Sequence, residues 1–385
     1  MKFSVLALLS AYTTSAAVVG ERAAYAVQGT PEGFGKGTTG GGNAACAIPS
    51  SVAQLKSWLT DSTARCIVLD REFNFKGTEG TKTETGCRPA SNTCPGNGGQ
   101  DAINAANWCD NGNAGSGATS IQVTYDAAGT SPINLGSNKS IIGVGSKGVI
   151  RGKGLRIANG AKNIIIQNIH ITELNPQYIW GGDAITLDGA DLVWVDHCKI
   201  SLIGRQMFVA GYGASNRVTI SNTEFDGATS WSASCNGRHY WTMLLIGSSD
   251  LITLKGNYIH HTSGRSPKVG GNTLLHAVNN YFYSNTGHAF DNEAGGKVVA
   301  EGNVFQNVAT PLLANKGQFF ASPSTSANTA CQNYLGHNCQ LNAFGSSGSL
   351  TGTDTSFFVN FNGKNVAGAS AASSKISSTA GVGKI

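Results

Sequence analysis

The sequence has little charge: only 13% of its 385 residues are Asp, Glu, Lys or Arg, and the net charge is +5. It has no block of basic residues, so nucleic-acid binding is not expected. Its 51 glycines follow no three-residue period, which excludes a collagen-like chain. The nine cysteines form no pair of CxxC motifs, which argues against a structural zinc site of that kind.

Long apolar runs are also scarce. The main one follows Met1 and Lys2 and gives way to small residues through Ala17, a pattern typical of a secretory signal. We expect residues 1–17 to be removed, with residue 26 as the latest alternative cleavage point; a buried N-terminal helix is the other interpretation. No other stretch reaches the roughly 20 apolar residues of a membrane span. We therefore expect one soluble domain, 27–385, outside the cell and without membrane contact.

The cysteines and a sequon fit that location. Cysteines in a secreted chain favour disulfides, and the odd count leaves one thiol. We predict that Cys198 is the free one, because it sits between strand residues where a small buried side chain is needed. Asn138-Lys139-Ser140 is a glycosylation sequon and makes Asn138 a candidate glycan site.

Six segments repeat one pattern, a Val/Ile-rich run followed by a polar residue near a turn. They span 163–171, 192–200, 217–225, 251–259, 273–282 and 297–305. Their alignment stacks Asn168, His197, Asn222, Asn257, Asn280 and Asn303, at steps of 29, 25, 35, 23 and 23 residues. Repeats of this length predict stacked units, and short strands without helical segments favour a right-handed, single-stranded parallel β-helix. The asparagines then form a ladder along one edge; the alternative is chance enrichment of Asn in hairpin turns.

The parts outside the repeats have separate roles. Residues 51–59 predict a short amphipathic helix that caps one end of the solenoid. Residues 75–125 carry few strand signals and are predicted to be a long loop. The Ser/Ala/Gly-rich tail, 367–385, is expected to lie over the surface or fray.

Four motifs occur in a fixed order: WGGDAI (180–185), VWVDH (193–197), IGRQ (203–206) and TSGRSPKV (262–269). Together they resemble the fungal pectin lyases of polysaccharide lyase family 1, over nearly the whole chain after the signal. The resemblance implies endo-cleavage of methyl-esterified (1→4)-α-D-galacturonan by β-elimination, which leaves unsaturated 4-deoxy uronate ends. It implies a secreted enzyme that works as a monomer without a cofactor.

The resemblance also implies that Asp183, Arg205 and Arg265 form the catalytic group. β-Elimination needs a base for the C5 proton and positive charge for the enolate at C6. Arg265 is the implied base, although a guanidinium is ordinarily protonated. Nearby positive charge from Lys268 and Arg205, together with burial, would favour its neutral form. The alternative interpretation is that Arg265 is a structural arginine and Asp183 an ordinary turn residue.

No Asp or Glu occurs from Cys198 to Thr223, the stretch that contains Arg205. Calcium prefers six to eight oxygen ligands, several of them carboxylates. The related pectate lyases place carboxylates here, so the resemblance implies that Arg205 takes the place of the metal. We therefore predict no metal site, and expect Asp183 to hold Arg205 in position.

Aromatic residues surround these motifs and suit an uncharged, esterified polymer. Candidate binding residues are Trp180, Tyr240, Trp241, Trp108 and Tyr178, with Trp231 nearby; core packing is the alternative for each. The Cys87-Arg88-Pro89 loop lacks an aromatic that some relatives carry. The resemblance further implies the disulfides Cys87–Cys109, Cys94–Cys235 and Cys331–Cys339, which leaves Cys46–Cys66.

Three other functions are considered. A calcium-dependent pectate lyase on the same fold is the main alternative, and the missing acids near Arg205 argue against it. A polygalacturonase needs a pair of carboxylates flanking the bond, and Asp183, Asp188, Asp191 and Asp196 are the carboxylates available in this stretch. A non-catalytic wall-binding protein would need the aromatic residues but neither arginine.

Overall fold

The computed structural model describes residues 25–385, so the predicted signal segment 1–17 lies outside the described residues. The described chain winds into a parallel β-helix whose coils contribute short strands to three faces. The fold predicted from the repeats is confirmed.

The first face contains Cys46–Ala47, Arg65–Leu69, Lys139–Gly143, Lys162–Gln167, Asp191–Asp196, Asn216–Ser221, Asp250–Lys255, Thr273–Val278, Lys297–Glu301 and Gln318–Phe320. The second contains Glu72–Asn74, Val149–Arg151, His170–Leu174, Lys199–Ile203, Glu224–Asp226, Tyr258–His260, Tyr281–Asn292, Val304–Asn315 and Ala343–Gly345. The third contains Ile133–Asn134, Leu155–Ala158, Ile185–Asp188, Phe208–Ala210, Met243–Leu245 and Lys268–Val269, and the far end of Tyr281–Asn292 continues it.

Aliphatic stacks fill the interior of the coils. On the first face, Ile164 pairs in register with Val193, and Val193 with Val218. All three side chains are fully buried in one continuous core. Fully burying such a side chain stabilises the fold by roughly 1.5–3 kcal/mol. The repeated Val/Ile pattern therefore produces the helix because each coil buries its apolar residues against the coils above and below.

An asparagine ladder follows the narrow edge between the first and second faces, but its membership differs from the prediction. The amides of Asn257, Asn280, Asn303 and Asn342 hydrogen-bond in series, at 2.9, 3.0 and 3.0 Å. Ser221 pairs with Lys255, so Thr223 is level with Asn257 and continues this row.

Asn168, His197 and Asn222 form the neighbouring row, one residue earlier in each coil, and including them in the ladder was wrong. All three have positive φ, of 58°, 48° and 46°. Asn is favoured in both rows because both belong to tight turns, so an alignment by residue identity did not separate the two rows.

Cys198 is level with Thr223, whose Oγ1 accepts its N–H at 3.3 Å. Its thiol is fully buried and unbonded to another cysteine, as predicted, and burial raises its pKa to about 12.

The predicted capping helix is confirmed at Val52–Thr60. Ser51 caps it by accepting the Gln54 N–H, and Leu55 and Leu59 are fully buried against the first coils. The remaining helices are short. They are Ala127–Thr130, Thr325–Asn328, Gln332–Leu335 and Ile376–Thr379, with 3-10 turns at Gly33–Gly35, Pro95–Asn97, Ala105–Asn107, Thr329–Cys331 and Phe358–Phe361. Among the described residues, no helix has the length and hydropathy required to cross a membrane.

The prediction of a long loop over 75–125 was wrong. Thr81–Arg88 and Thr119–Asp126 form an antiparallel hairpin, and Asp101–Ala102 joins it to Tyr178–Ile179 of the solenoid. The hairpin's first strand carries alternating Thr and charged residues over 81–85, which are exposed at the end away from the connecting loop. Such a polar pattern is typical of a loop, which is why the sequence analysis missed the strands, although the two strands pair along their whole length.

Four disulfides connect the described chain: Cys46–Cys66, Cys87–Cys109, Cys94–Cys235 and Cys331–Cys339. These are the pairings that the resemblance implied. The tail lies along the narrow edge, where the Gly381 N–H donates to Asn222 O and the Gly383 N–H to Asn168 Oδ1, both at 2.7 Å.

Candidate active site

The turns between the second and third faces are long, and we call them the broad edge: residues 175–184, 204–207, 227–242 and 261–267. Asp183, Arg205 and Arg265 all lie here, each shortly before a strand of the third face. The Arg205 N–H donates to Gly182 O at 3.0 Å, and the Met243 N–H donates to Arg265 O at 2.7 Å. The coils therefore bring together residues that are 82 positions apart in the sequence, from 183 to 265.

Arg205 is stacked and largely buried. Its guanidinium lies 3.5 Å from the centre of the Trp180 ring, and its side chain is 19% exposed. Burial lowers the pKa of Arg205, the Asp183 carboxylate opposes that shift, and the charge of Arg265 adds to it. The two arginines are thus close enough for their charges to repel each other, and the charge of Arg205 is only weakly screened by water.

Asp183 is the carboxylate next to Arg205. Its Oδ2 lies 3.6 Å from Arg205 Nη1, and its Oδ1 accepts the Gln206 N–H at 2.8 Å. Burial raises the pKa of Asp183, while Arg205 and the Gln206 N–H lower it. The carboxylate is therefore held on the chain segment that carries Arg205 and orients the guanidinium beside it.

Arg265 lies among aromatic rings with part of its hydrogen-bonding capacity unused. Its guanidinium carbon is 4.7 Å from the centre of the Trp241 ring and 5.7 Å from that of Tyr240. Its buried Nε has no hydrogen-bond partner among the described residues. An arginine that contributed only to stability would normally have that donor satisfied. The side chain as a whole is only half-buried, so the outer end of the guanidinium, rather than Nε, can reach a ligand.

The backbone at Arg265 is unusual. Its φ is +45°, in the left-handed region, where a non-glycine residue costs about 1–3 kcal/mol. Its N–H donates to His288 Nε2 at 3.1 Å, which holds this conformation. The preceding Gly264 lies under the Tyr240 ring, and a Cβ there would come within 2.4 Å of a ring carbon. The Ser-Gly-Arg sequence thus allows Tyr240 to pack directly beside the guanidinium.

Lys268 does not act as an additional unbalanced cation. Its Nζ contacts Glu293 Oε1 at 3.0 Å and Asp291 Oδ2 at 3.1 Å. Burial lowers the pKa of Lys268, but its bonds to Glu293 and Asp291 outweigh that effect and the pKa is raised. Two carboxylates therefore balance its charge, contrary to the expectation that it adds positive charge at Arg265.

The aromatic residues divide into three groups. Trp180, Trp241 and Trp108 pack together around Ile179, and Tyr240 meets Trp241 edge-on at 4.9 Å. Tyr178 packs on the other side, against Tyr125, and its hydroxyl accepts the Thr124 N–H.

Trp231 lies apart from these rings. It is 38% exposed and lines a depression of about 360 Å³ that does not include Asp183, Arg205 or Arg265. Three of the five candidate rings, Trp180, Tyr240 and Trp241, therefore contact the arginines, while Trp108 packs beside Ile179 and Tyr178 supports the hairpin.

Two residues that the sequence analysis did not select hold the broad edge together. Buried Gln100 donates through Nε2 to Gly204 O at 2.8 Å and accepts the Trp241 Nε1–H at 3.0 Å. Buried His239 lies within 2.7 Å of Arg205 O and 3.1 Å of Trp241 O through Nε2, which must donate. Gln100 comes from the hairpin region, which Cys94–Cys235 also fastens to this edge. A sequence pattern gives no sign of the Gln100 and His239–Arg205 contacts, because they join residues 34 to 141 positions apart.

His239 predicts a pH effect on stability. Burial lowers its pKa to about 4, below the ordinary 6.5. Its contribution is therefore complete above pH 6.5 and is lost as the pH falls toward 4, an effect of about 3 kcal/mol. We expect the free energy of unfolding of the wild type to fall more steeply over this range than that of His239→Gln, measured by denaturant titration. Parallel pH profiles would contradict this assignment.

The broad edge is a poor site for calcium. Among the described residues, Asp183 is the one carboxylate that pairs with Arg205. Calcium prefers six to eight oxygen ligands, and a guanidinium repels a dication. The donors at this position do not fit the ion.

A parallel β-helix with such an edge is the architecture of a polysaccharide lyase, and comparisons with known proteins agree. The family model described as "Pectate lyase" matches residues 110–385. The chain belongs to the fungal pectin lyases of polysaccharide lyase family 1.

Curated relatives align along their whole length. The chain is 56% identical to "Pectin lyase B" of Emericella nidulans, over 99% of this chain and 98% of the relative. It is 54% identical to "Probable pectin lyase A" of Aspergillus clavatus, over 100% of both chains.

Solved structures share the fold at low identity. A pectate lyase from Bacillus sp. N165 in complex with trigalacturonate superposes with a TM-score of 0.55 at 21% identity, covering 92% of this chain and 99% of the other. A pectate lyase from Paenibacillus sp. 0602 gives 0.57 at 15% identity, covering 92% and 96%.

Proposed function

We propose that this chain is a secreted pectin lyase that cuts methyl-esterified (1→4)-α-D-galacturonan within the polymer, by β-elimination and without calcium. The observation that carries the proposal is the pair of arginines on the broad edge, stacked on aromatic rings and accompanied by a single carboxylate. All these groups come from one chain, so a monomer suffices. The four disulfides support an oxidising, extracellular location.

Arg205 polarises the C6 carbonyl of the ester. When the C5–H bond breaks, its electrons form a C5–C6 enolate with negative charge on the C6 oxygen. A fixed, poorly screened guanidinium stabilises this charge more than it stabilises the neutral ester. Asp183 keeps the guanidinium in position, so little reorganisation is needed during the reaction.

Arg265 takes the C5 proton. Only a neutral guanidinium has a lone pair for this proton, so the step requires Arg265 in its neutral form. The enolate then collapses to a C4–C5 double bond and expels the C4 oxygen, which takes a proton from solvent. One fragment carries an unsaturated uronate and the other a new reducing end.

The same charge balance favours an esterified substrate. Removing C5–H from an ester creates one negative charge, which one guanidinium can match. A free carboxylate would become a dianion, and the described residues beside Arg205 do not supply the several carboxylates that would hold a calcium ion against the second charge. The rings of Trp180, Tyr240 and Trp241 offer apolar contact to uncharged sugars.

Hydrolysis is less compatible with this site. It ordinarily requires two carboxylates that flank the bond, and those near Asp183 in sequence are engaged elsewhere. Asp188 pairs with Arg156 at 2.8 Å, and Asp191 pairs with Arg217 at 2.5 Å.

Two substrates and two detection methods test the proposal. On highly methylated pectin we expect ultraviolet absorbance from unsaturated products to rise in step with new reducing ends, and on polygalacturonate we expect neither. Solution viscosity should fall early, because endo-cleavage shortens long chains first. Reducing ends without absorbance would identify a hydrolase, and a preference for polygalacturonate would identify a pectate lyase.

A further inference from the structure

A compact cluster of potential metal ligands lies on the second face, outside the proposed active site. Asp226 and His260 are paired neighbours at the ends of adjacent strands, and His261 follows directly. One ligand atom from each of the three lies within 4.8 Å of the other two. His260 Nδ1 is 2.7 Å from His261 Nδ1 and 3.8 Å from Asp226 Oδ1. The three side chains therefore place their potential ligand atoms around one small space at this edge of the second face.

The surroundings of His260 prepare it to bind a metal. Its Nε2 lies 3.1 Å from Glu224 Oε1, which accepts the Nε2–H. That bond leaves the lone pair on Nδ1, the atom that faces the cluster. A carboxylate behind the distal nitrogen of a ligating histidine is the usual arrangement in metal proteins, since it fixes the ring and its tautomer.

The rest of the cluster is also oriented. The Tyr258 ring stacks on His260 at 4.1 Å, and Tyr283 meets His261 edge-on at 5.9 Å. Lys199 Nζ binds Asp226 Oδ2 at 2.9 Å, while Oδ1 accepts the Ala228 N–H at 3.1 Å and faces the histidines. Two carboxylates, Glu224 and Asp226, are matched by Lys199 and by Arg238, whose charge acts on His261, so no unbalanced positive charge opposes a bound cation.

We propose that Asp226, His260 and His261 bind one divalent transition-metal ion of the Zn²⁺ or Cu²⁺ class, with water completing its coordination. Two imidazoles and a single direct carboxylate favour such an ion over calcium. In a tetrahedral Zn²⁺ site, two ligating nitrogens are about 3.3 Å apart, so the rings must separate slightly on binding. His261 is half-buried and lies just past the strand that ends at His260, so its ring is not held in the sheet. The ion has no part in the elimination.

Calorimetry with Zn²⁺ on the chelator-treated, desalted full-length protein tests the proposal. We expect one ion per chain, and a loss of affinity on the order of 100-fold in both His261→Ala and the isosteric Asp226→Asn. Glu224→Gln should weaken binding by about 10-fold, as loss of a supporting carboxylate does. His337→Ala is the matched control and should bind as the wild type does, because His337 pairs with Glu301 elsewhere.

Cu²⁺ gives an independent readout through electron paramagnetic resonance. The wild type should show hyperfine coupling to two imidazole nitrogens, and His261→Ala to one. The proposal is overturned if the folded wild type binds no Zn²⁺ at one equivalent. His260 and His261 would then be joined only by the hydrogen bond between their rings. The proposal is also overturned if Asp226→Asn and His261→Ala bind Zn²⁺ as tightly as the wild type.

Discussion

Arg265→Ala is expected to lower the rate of elimination on methylated pectin by a factor on the order of 10²–10⁴, the range for loss of a proton-transfer group. The alanine cannot take the C5 proton, and the contacts to Trp241 and Tyr240 disappear with the guanidinium. The fold should tolerate the change, because the buried Nε has no partner to lose among the described residues. Initial rates of ultraviolet-absorbing product measure the effect.

Two further variants make the Arg265 result specific. Arg265→Lys retains a positive charge, so activity that stays low identifies the guanidinium itself as the required group. Arg71→Ala is a matched surface control, since Arg71 is exposed and its one ion pair among the described residues is with the neighbouring Asp70. Wild-type activity in a folded Arg265→Ala protein would remove Arg265 from the catalytic group.

Arg205→Ala is expected to lower kcat by a factor on the order of 10²–10³, as loss of an oxyanion-stabilising donor does. Because the guanidinium binds the enolate more strongly than the ester, kcat should fall much more than KM rises. The variant also leaves Asp183 buried without its cation, so the pKa of that carboxyl should rise further and the protein should become less stable.

Companion variants separate the charge of Arg205 from its position. Arg205→Lys preserves the charge but loses the stacking on Trp180 and should recover only part of kcat. Asp183→Asn preserves the side-chain shape and should have a smaller effect than Arg205→Ala. A rise in KM at unchanged kcat in Arg205→Ala would mean that Arg205 only binds substrate.

The sequence was sufficient to predict the β-helix because the pattern of Val/Ile strands repeats in every coil. It was less reliable for the ladder, where Asn222 and Asn257 both occupy tight turns yet belong to adjacent rows. Only strand pairing distinguishes the rows, since register depends on contacts between coils. The hairpin was missed for a related reason: Thr81–Arg88 and Thr119–Asp126 are polar on the surface and pair across a long insertion.

For the site, the resemblance carried by the WGGDAI and IGRQ motifs implied that Asp183 lies beside Arg205, and the structure places the two side chains 3.6 Å apart. The sequence did not predict that Lys268 is balanced by Asp291 and Glu293, since those partners lie one coil further on. It also gave no sign of His239 behind Arg205. Motif spacing does not show which side chains of successive coils contact each other.

The most direct test of the central claim is the initial rate of elimination on highly methylated pectin, measured with chelator-stripped enzyme and again after calcium is restored. Fixed guanidinium charge does not leave with a chelator, so the two rates should agree within experimental error. A rate that vanishes on stripping and returns with calcium would contradict the account.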